Sequence, residues 1–251
     1  LTALYTIARR EVNRILRIWG QTLVPPAITM TLYFLIFGNL IGSRIWQMGG
    51  FSYMDFIVPG LVMISIIQNS YGNISSSFFG AKFGRHIEEL LVSPMPNWVI
   101  LGGYVAGAVL RGLMVGGIVM VIAMLFTKVR VPHPFITLAT VFLGAVIFSL
   151  AGFVNAVYAK KFDDIAIVPT FILTPLTYLG GVFYSGKLLP DWAEAATHLN
   201  PIFYMVNAFR YGLLGQSDVS MVTAFALMIG FVVGLGALGL WLLKRGVGLR
   251  S

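Results

Sequence analysis

The chain has 251 residues, of which 58% are apolar and 10% are charged, and it carries a formal net charge of +8. Soluble domains contain about 25% charged residues, so this composition excludes an ordinary soluble domain and predicts a single membrane domain over residues 1–251. Cysteine is absent, which excludes disulfide bonds and cysteine-based catalysis. The positive charge fits a membrane surface better than a nucleic acid.

Residues 3–19 are predicted to form an amphipathic helix. Its apolar face holds Leu4, Ala8, Val12, Ile15, Leu16 and Trp19. Its opposite face holds Arg9, Arg10, Asn13, Arg14 and Arg17. Such a helix is expected to lie in the membrane interface with its arginines near anionic headgroups. The pattern leaves open whether it is only an anchor or also contacts a cytoplasmic partner.

Six stretches contain the roughly 20 mainly apolar residues that cross a bilayer. They are residues 22–42, 56–78, 99–126, 135–158, 164–183 and 221–243. The predicted fold is therefore an all-α, polytopic membrane protein with six transmembrane helices and both termini on one side. Eleven Lys and Arg residues fall on that side and five on the other, so the positive-inside rule makes both termini cytoplasmic. In the third stretch, Arg111 is expected to reach toward the cytoplasm rather than to act as a buried functional cation.

The second predicted span carries a polar stripe at helical spacing. Its members are Ser65, Gln68, Asn69, Gly72, Asn73 and Ser76. Amide side chains facing lipid are unfavourable, so this face is expected to look into the protein. Two explanations remain open on the pattern alone: the stripe lines a transport path, or it forms hydrogen bonds between helices.

A short amphipathic helix is predicted at residues 82–93, in the cytoplasmic loop after the second span. Its apolar face carries Phe83, Ile87, Leu90 and Leu91, and Pro94 and Pro96 follow it. On the other side, Arg85 and Glu89 have the spacing of a stabilising ion pair. The pattern is typical of a surface helix that contacts a soluble partner, and a helix without any partner is the alternative.

The fifth predicted span is expected to be bent. It contains Pro169 and Pro175, and nearby Thr170, Thr174 and Thr177 can satisfy the carbonyl groups that the prolines leave free.

Residues 190–215 are predicted to form two short helices on the external side, before the last span. Asn200 and Pro201 have the pattern of a helix start, and Gly215 can end that helix. The aromatic side chains of this region are the candidates for an external gate or for lipid contact: Trp192, Tyr204, Phe209 and Tyr211.

Catalytic motifs are absent from the sequence. It has no phosphate-binding G-x-x-x-x-G-K-[ST] loop and no G-x-S-x-G serine motif. The three histidines, His86, His133 and His198, lie in three separate connections, which does not fit a metal site. No catalytic, cofactor-binding or metal-binding residue is predicted in this chain.

Several segments resemble one known family, and together they cover essentially the whole chain. They are FSYMDFIVPG (51–60), FGRHIEELLVSPMP (83–96), FDDIAIVPTFILTPLTYLGGVFYS (162–185), LPDWAEAATHLNPIFYMVNAFRYG (189–212) and the final KRGVGLR. With the order of helices above, the chain resembles the ABC-2 family of ATP-binding-cassette transporter permeases. Within that family it is similar to a group of bacterial inner-membrane permeases.

The resemblance implies a membrane dimer of two copies of this chain, with two copies of a cytoplasmic ATPase subunit that would hold ATP and Mg²⁺. It implies that residues 82–93 are a coupling helix, with ATPase contacts from Phe83, Arg85, His86, Ile87, Glu88, Glu89, Leu90 and Leu91. It also implies a path lined by the first, second and fifth spans. Candidate lining residues are Tyr33, Phe37, Ser65, Gln68, Asn69, Asn73, Ser76, Thr170 and Thr174.

The predicted function is therefore the permease subunit of an ATP-driven exporter in the bacterial inner membrane, in contact with lipids and not with nucleic acid. The alternative is a secondary carrier or channel without an ATPase. A proton-coupled carrier usually needs ionisable groups near the middle of the membrane, whereas Asp55, Asp163, Asp164 and Asp218 all fall at the ends of the predicted spans. The resemblance leaves the substrate open among drugs, lipids and glycolipid-like compounds.

Overall fold

The structure, a computed structural model, describes residues 2–41, 47–48, 50–128, 131–186 and 189–248. The α-helices of these residues are α1 (Thr2–Arg17), α2 (Trp19–Leu35), α3 (Tyr53–Phe83), α4 (His86–Val92), α5 (Asn97–Phe126), α6 (Pro134–Tyr158), α7 (Phe162–Val168), α8 (Thr174–Tyr178), α9 (Asp191–His198), α10 (Pro201–Leu214) and α11 (Met221–Arg245). Two π-helical segments adjoin these helices: Ile36–Ile41 after α2, and Pro169–Leu173 between α7 and α8. The chain is thus mostly helical, as predicted.

One short antiparallel ribbon departs from the all-α prediction. Strands β1 (Gln47–Met48) and β2 (Phe51–Ser52) pair in the register Gln47 with Ser52 and Met48 with Phe51. The ribbon leads directly into α3, where Ser52 Oγ accepts a hydrogen bond from the Asp55 backbone N–H at 3.2 Å. This contact satisfies one of the free donors at the start of the helix.

The prediction of six spans is only partly supported. Among the described residues, four helices are long and apolar enough to cross a membrane: Trp19–Gly38, Asn97–Phe126, Pro134–Tyr158 and Met221–Arg245. The expected spans 56–78 and 164–183 are not among them. The first lies in α3, which is long but carries the amide and hydroxyl groups of the polar stripe. The second is divided by prolines into α7, a π-helical segment and α8.

Helix α3 lies at the centre of the molecule, between α5 and α6. Glycines allow both neighbours to come close. A Cβ on Gly116 of α5 would lie 2.5 Å from Ile66 Cγ1, and one on Gly152 of α6 would lie 2.6 Å from the Tyr71 carbonyl oxygen. Small residues at such contacts are the usual way in which membrane helices approach each other.

The N-terminal helix α1 is packed against the N-terminal half of α5. Its buried side chains are Ile7, Glu11 and Ile15. A Cβ on Gly103 would lie 2.5 Å from Ile7 Cγ2, and one on Gly107 would overlap the Glu11 side chain. Leu16 and Trp19 of the predicted apolar face are exposed, whereas Glu11 takes a buried place against α5.

Helix α10 differs from the surface helix that was expected. Its predicted start is confirmed, because Asn200 Oδ1 accepts the Ile202 N–H at 3.0 Å, and Gly215 ends it with a φ of +73°. However, α10 is buried among α3, α6 and α11. Apolar side chains such as Phe203 lie around most of its circumference, and a helix of that kind is stable only inside a protein or a membrane.

Candidate functional site

The polar stripe of α3 is divided between two environments. Gln68, Gly72 and Ser76 are exposed and Asn69 is half-buried; we call these four residues the open face of α3. A Cβ placed on Gly72 would meet no atom within 4 Å. Ser65 is buried and donates a hydrogen bond to the Leu61 carbonyl at 3.0 Å within its own helix. The predicted lining residues of α3 therefore do not all share one surface.

The polar groups of the open face bond only to their own helix. Asn69 Nδ2 donates to the Ser65 carbonyl at 3.0 Å, and Ser76 Oγ donates to the Gly72 carbonyl at 2.8 Å. In the part of the chain that the structure describes, Gln68 has no hydrogen-bond partner. An uncovered amide in hydrocarbon is unfavourable, so this face requires water or another protein surface beside it.

Asn73, the fifth candidate on α3, belongs to a buried polar network instead. Its Oδ1 accepts hydrogen bonds from Arg14 Nη2 of α1 at 2.8 Å and from Arg111 Nη1 of α5 at 3.4 Å. Arg111, which was expected to reach toward the cytoplasm, thus donates to a buried amide of α3. Asn73 is fully buried and joins three helices, which is the helix-bonding explanation that the sequence had left open.

Glu11 completes this network and was missed by the sequence analysis. Its side chain is 2% exposed and lies 3.0 Å from Arg14 Nη2 and 3.6 Å from Arg10 Nη2. Ser77 Oγ of α3 donates to Glu11 Oε2 at 2.6 Å. The sequence contains a sign of this burial. Glu11 lies four residues from both Ile7 and Ile15, and that spacing places all three on one face of a helix.

Tyr33 and Phe37, the candidates from the first span, form an aromatic cluster with Tyr178 and Phe183. The Phe37 and Phe183 rings are stacked at 4.9 Å between centroids, and the Tyr33 and Phe37 rings at 5.7 Å. The Tyr33 and Tyr178 hydroxyl groups are 3.0 Å apart. The cluster joins the end of α2 to the end of α8, so the first and fifth predicted spans do meet at this point.

The candidates in the divided helix, Thr170 and Thr174, have different surroundings. Thr174 Oγ1 donates to the Pro169 carbonyl at 2.8 Å, which satisfies a group in the disrupted ladder. Thr170 is exposed. The π-helical segment around them exposes Phe171 and Ile172 and packs mainly on the adjoining α7 and α8. This segment therefore has an apolar surface that no other part of the described chain covers.

The short helix predicted at residues 82–93 is observed as α4, which covers His86–Val92 and follows a sharp turn at Arg85, whose φ is 59°. Phe83 is 64% exposed and stacks edge-on against Phe162 at 5.1 Å. Ile87 is buried in the apolar cluster that contains Phe78, so it attaches α4 to the rest of the molecule.

The polar residues predicted to contact an ATPase lie on the surface. Arg85, His86 and Glu89 are exposed and are thus available to a partner. The side chains of Glu88, Leu90 and Leu91 lie outside the described part of the chain.

The four aromatic residues predicted as candidates for an external gate do not form one group. Trp192 on α9 is 77% exposed, whereas Phe209 on α10 lies in the core. Tyr204 donates a hydrogen bond to the His198 carbonyl at 3.0 Å, and the Tyr211 ring stacks on His133 at 4.8 Å. Trp192 is thus the most exposed of the four, whereas Tyr204 and Tyr211 are half-buried.

Arg210 of α10 is a second buried charge that the sequence analysis did not single out. It is 2% exposed, donates to the Gly181 carbonyl at 2.6 Å and lies 3.9 Å over the Phe56 ring. Beside it is a cavity of about 560 Å³ that also contacts Asp218 and Ser185. These contacts hold α10 against α3, which explains how a helix with an arginine is accommodated in the core.

Comparison with known proteins identifies the family to which the chain belongs. The sequence profile described as ABC-2 type transporter matches residues 2–214, which is most of the chain. The chain therefore belongs to the ABC-2 type transporter family.

Relatives within this family are similar over nearly the whole length. The inner membrane transport permease YadH of Escherichia coli (strain K12) is 59% identical over 250 residues, which is 99% of this chain and 97% of that protein. YadH of Shigella flexneri has the same identity and coverage. Nodulation protein J of Sinorhizobium fredii (strain NBRC 101917 / NGR234) is 25% identical over 82% of this chain and 80% of that protein.

The family and the inner-membrane permease group expected from the motifs are thus confirmed. Membership makes the chain an inner-membrane transport permease with several membrane-spanning helices, which is a non-enzymatic subunit. Within the described residues, no group of three or more His, Asp or Glu side chains is close enough to hold a metal ion.

Proposed function

We propose that this chain is the membrane half of an ATP-driven exporter, and that two copies stand side by side with the open faces of α3 toward each other. The observation that carries the proposal is the exposure of Gln68, Gly72 and Ser76 on a long helix whose other sides are packed. Facing lipid, these groups would be unfavourable. Facing a second copy, they would line a polar path through the membrane.

The neighbouring surfaces support the same arrangement. The divided helix α7–α8 and the exposed flank of α2, which includes Ile28 and Leu32, provide apolar area beside the polar open face. A symmetric pair buries one such surface on each copy. The aromatic cluster of Tyr33 and Phe37 lies at the point where α2 and α8 meet, and we assign it to the external part of the path.

In this proposal α3 and the divided helix also cross the membrane, which gives six crossings. The 31 residues of α3 extend about 46 Å at 1.5 Å per residue, more than the ~30 Å hydrocarbon core. The polar groups that lower its apolar character would face the path instead of lipid. With the positive-inside rule, both termini and α4 are cytoplasmic and α9 is external.

Coupling to ATP hydrolysis would pass through α4. The polar side chains of Arg85, His86 and Glu89 are exposed, and buried Ile87 connects the helix to the core. Two copies of a separate ATPase subunit would bind here, holding ATP and Mg²⁺. Closure of the two ATPases would then move α4 and, through it, the cytoplasmic end of α3.

The test is reconstitution with the cognate ATPase subunit. The permease alone should show no ATP hydrolysis, and the assembled complex should contain two copies of each subunit and hydrolyse ATP. Glu89→Lys should reduce co-purification and hydrolysis, because it reverses the charge at the proposed contact. The matched control is Glu194→Lys on α9, an exposed carboxylate at the proposed external side. Equal loss in both variants, or none in Glu89→Lys, would contradict the coupling role of α4.

A further inference from the structure

A basic pocket lies where α1 meets the ends of α3 and α4. It is an open pocket of about 590 Å³, and most of its lining residues are of polar or charged type. We call it the arginine pocket, defined by Arg9, Arg10, Arg14 and Arg17 of α1, with Ser77, Gly80 and His86 on the opposite side. The only carboxylate among its described lining residues is Glu11. Its volume is within the range of small-ligand sites.

The charge of this pocket is not balanced within the chain. Four arginines and one glutamate leave three positive charges in excess. Glu11 is already occupied by Arg10, Arg14 and Ser77. Among the described residues, Arg9 and Arg17 have no carboxylate partner, so two guanidinium groups at the pocket are free to bind an anion.

A further cation lies just behind the pocket. Arg111 shares the Asn73 amide oxygen with Arg14, and the buried Nε atoms of both arginines have no hydrogen-bond partner. A bound anion nearby would offset the repulsion between these guanidinium groups.

The surface beside the pocket indicates what kind of anion fits. The flank of α1 next to the arginines exposes Tyr5 and Leu16, and Trp19 at the start of α2 is exposed as well. This apolar flank adjoins the arginines of the pocket, since the Arg9 guanidinium lies 6.0 Å from the centre of the Tyr5 ring. Exposed apolar side chains are unfavourable in water but suit the interface of a membrane, where aromatic and basic residues lie side by side at the boundary between headgroups and acyl chains.

We propose that the arginine pocket binds the phosphate of an anionic phospholipid in the leaflet next to α1, with the acyl chains along Tyr5, Leu16 and Trp19. Basic pockets between membrane helices on the cytoplasmic side are typical sites for such headgroups, and arginine matches phosphate oxygens through paired N–H groups. An acidic segment of a soluble partner would use the arginines but leave the apolar flank uncovered. The inference is independent of the export function, because it concerns the permease alone.

The experiment measures thermal stabilisation of the purified full chain in neutral detergent by short-chain phosphatidylglycerol. Phosphatidylcholine of the same chain length serves as the neutral lipid, and inorganic phosphate as the free anion. We expect saturable stabilisation by phosphatidylglycerol and little by the other two. In the double variant Arg9→Gln, Arg17→Gln the apparent affinity should fall on the order of tenfold or more, since each basic residue near a surface contributes appreciably to anionic-lipid binding.

The matched control is the double variant Lys244→Gln, Arg245→Gln at the end of α11, which removes the same charge outside the pocket and should bind phosphatidylglycerol as the unmodified chain does. Equal stabilisation by both lipids would overturn the proposal. So would equal affinity in the pocket variant and the control variant, or a response to inorganic phosphate as large as that to the lipid. If the pocket variant lost its ATPase partner while binding phosphatidylglycerol normally, the arginines would belong to a protein contact and the lipid site would be refuted.

Discussion

The two sides of α3 carry similar polar residues in very different surroundings. On the packed side, Asn73 and Ser77 are buried by α1 and α5 and hold the arginines and the glutamate of α1 in place. On the open face, Gln68 and Ser76 have no neighbour from another helix in the described chain. The comparison shows that polarity alone does not identify a path through a membrane helix. What separates the two sides is whether a neighbouring helix covers them.

The largest expected effect is on the packed side, at Gly112 of α5. A Cβ there would overlap Ser70 Oγ and lie 3.2 Å from the Ile66 carbonyl, so Gly112→Leu would force α3 and α5 apart. We expect a loss of about 3 kcal/mol or more in stability, because overpacking against backbone cannot relax. Thermal unfolding in detergent measures it. Gly117→Leu in the same helix, where a Cβ meets no atom within 4 Å, should change little, and equal losses would show that this contact is not tight.

Glu11→Gln tests the packed side through charge. The substitution leaves Arg10 and Arg14 without their carboxylate and should destabilise the protein by about 2 kcal/mol. This is less than the 3–5 kcal/mol found when fully buried pairs are broken, because Arg10 is 49% exposed and Arg14 is 34% exposed. Unfolding of Glu11→Gln is compared with Glu89→Gln, a carboxylate on the surface. A Glu11→Gln protein as stable as its control would mean that the network does not hold α1.

A smaller effect is expected in the divided helix, at Thr174. Thr174→Val removes the hydrogen bond to the Pro169 carbonyl and keeps the side-chain shape. Hydrogen bonds between membrane helices average about 0.6 kcal/mol. We expect an effect of similar size for this bond within one segment, so the melting temperature should fall slightly. Thr170→Val one turn earlier is the control, since Thr170 is exposed and makes no hydrogen bond among the described residues. A greater fall in melting temperature for Thr170→Val than for Thr174→Val would contradict the stabilising hydrogen bond assigned to Thr174.

Local patterns were sufficient to predict most helices and their ends. The prolines and threonines around Pro169 predicted a bent helix, and Asn200 with Pro201 predicted the start of α10. Both features depend on neighbouring residues in the chain, which a sequence shows directly.

Contacts between distant segments explain what the sequence did not predict. Glu11 looked like one charge on a basic helix, and only the approach of α3 gives it Ser77 as a partner. Phe209 fitted an external aromatic belt, yet α10 is buried by α3, α6 and α11. Likewise, Asn73 and Gln68 are equally polar in sequence, and the positions of α1 and α5 decide that Asn73 is covered.

Cross-linking across the open face tests the central claim most directly. The chain lacks cysteine, so Gln68→Cys and Ser76→Cys each introduce a unique thiol, and Val233→Cys places one on an exposed part of α11 as the control. In native membranes treated with a short bifunctional maleimide, we predict covalent dimers from both positions of the open face and none from Val233→Cys. Dimers from Val233→Cys alone, or from no position, would contradict a pair of chains joined along α3.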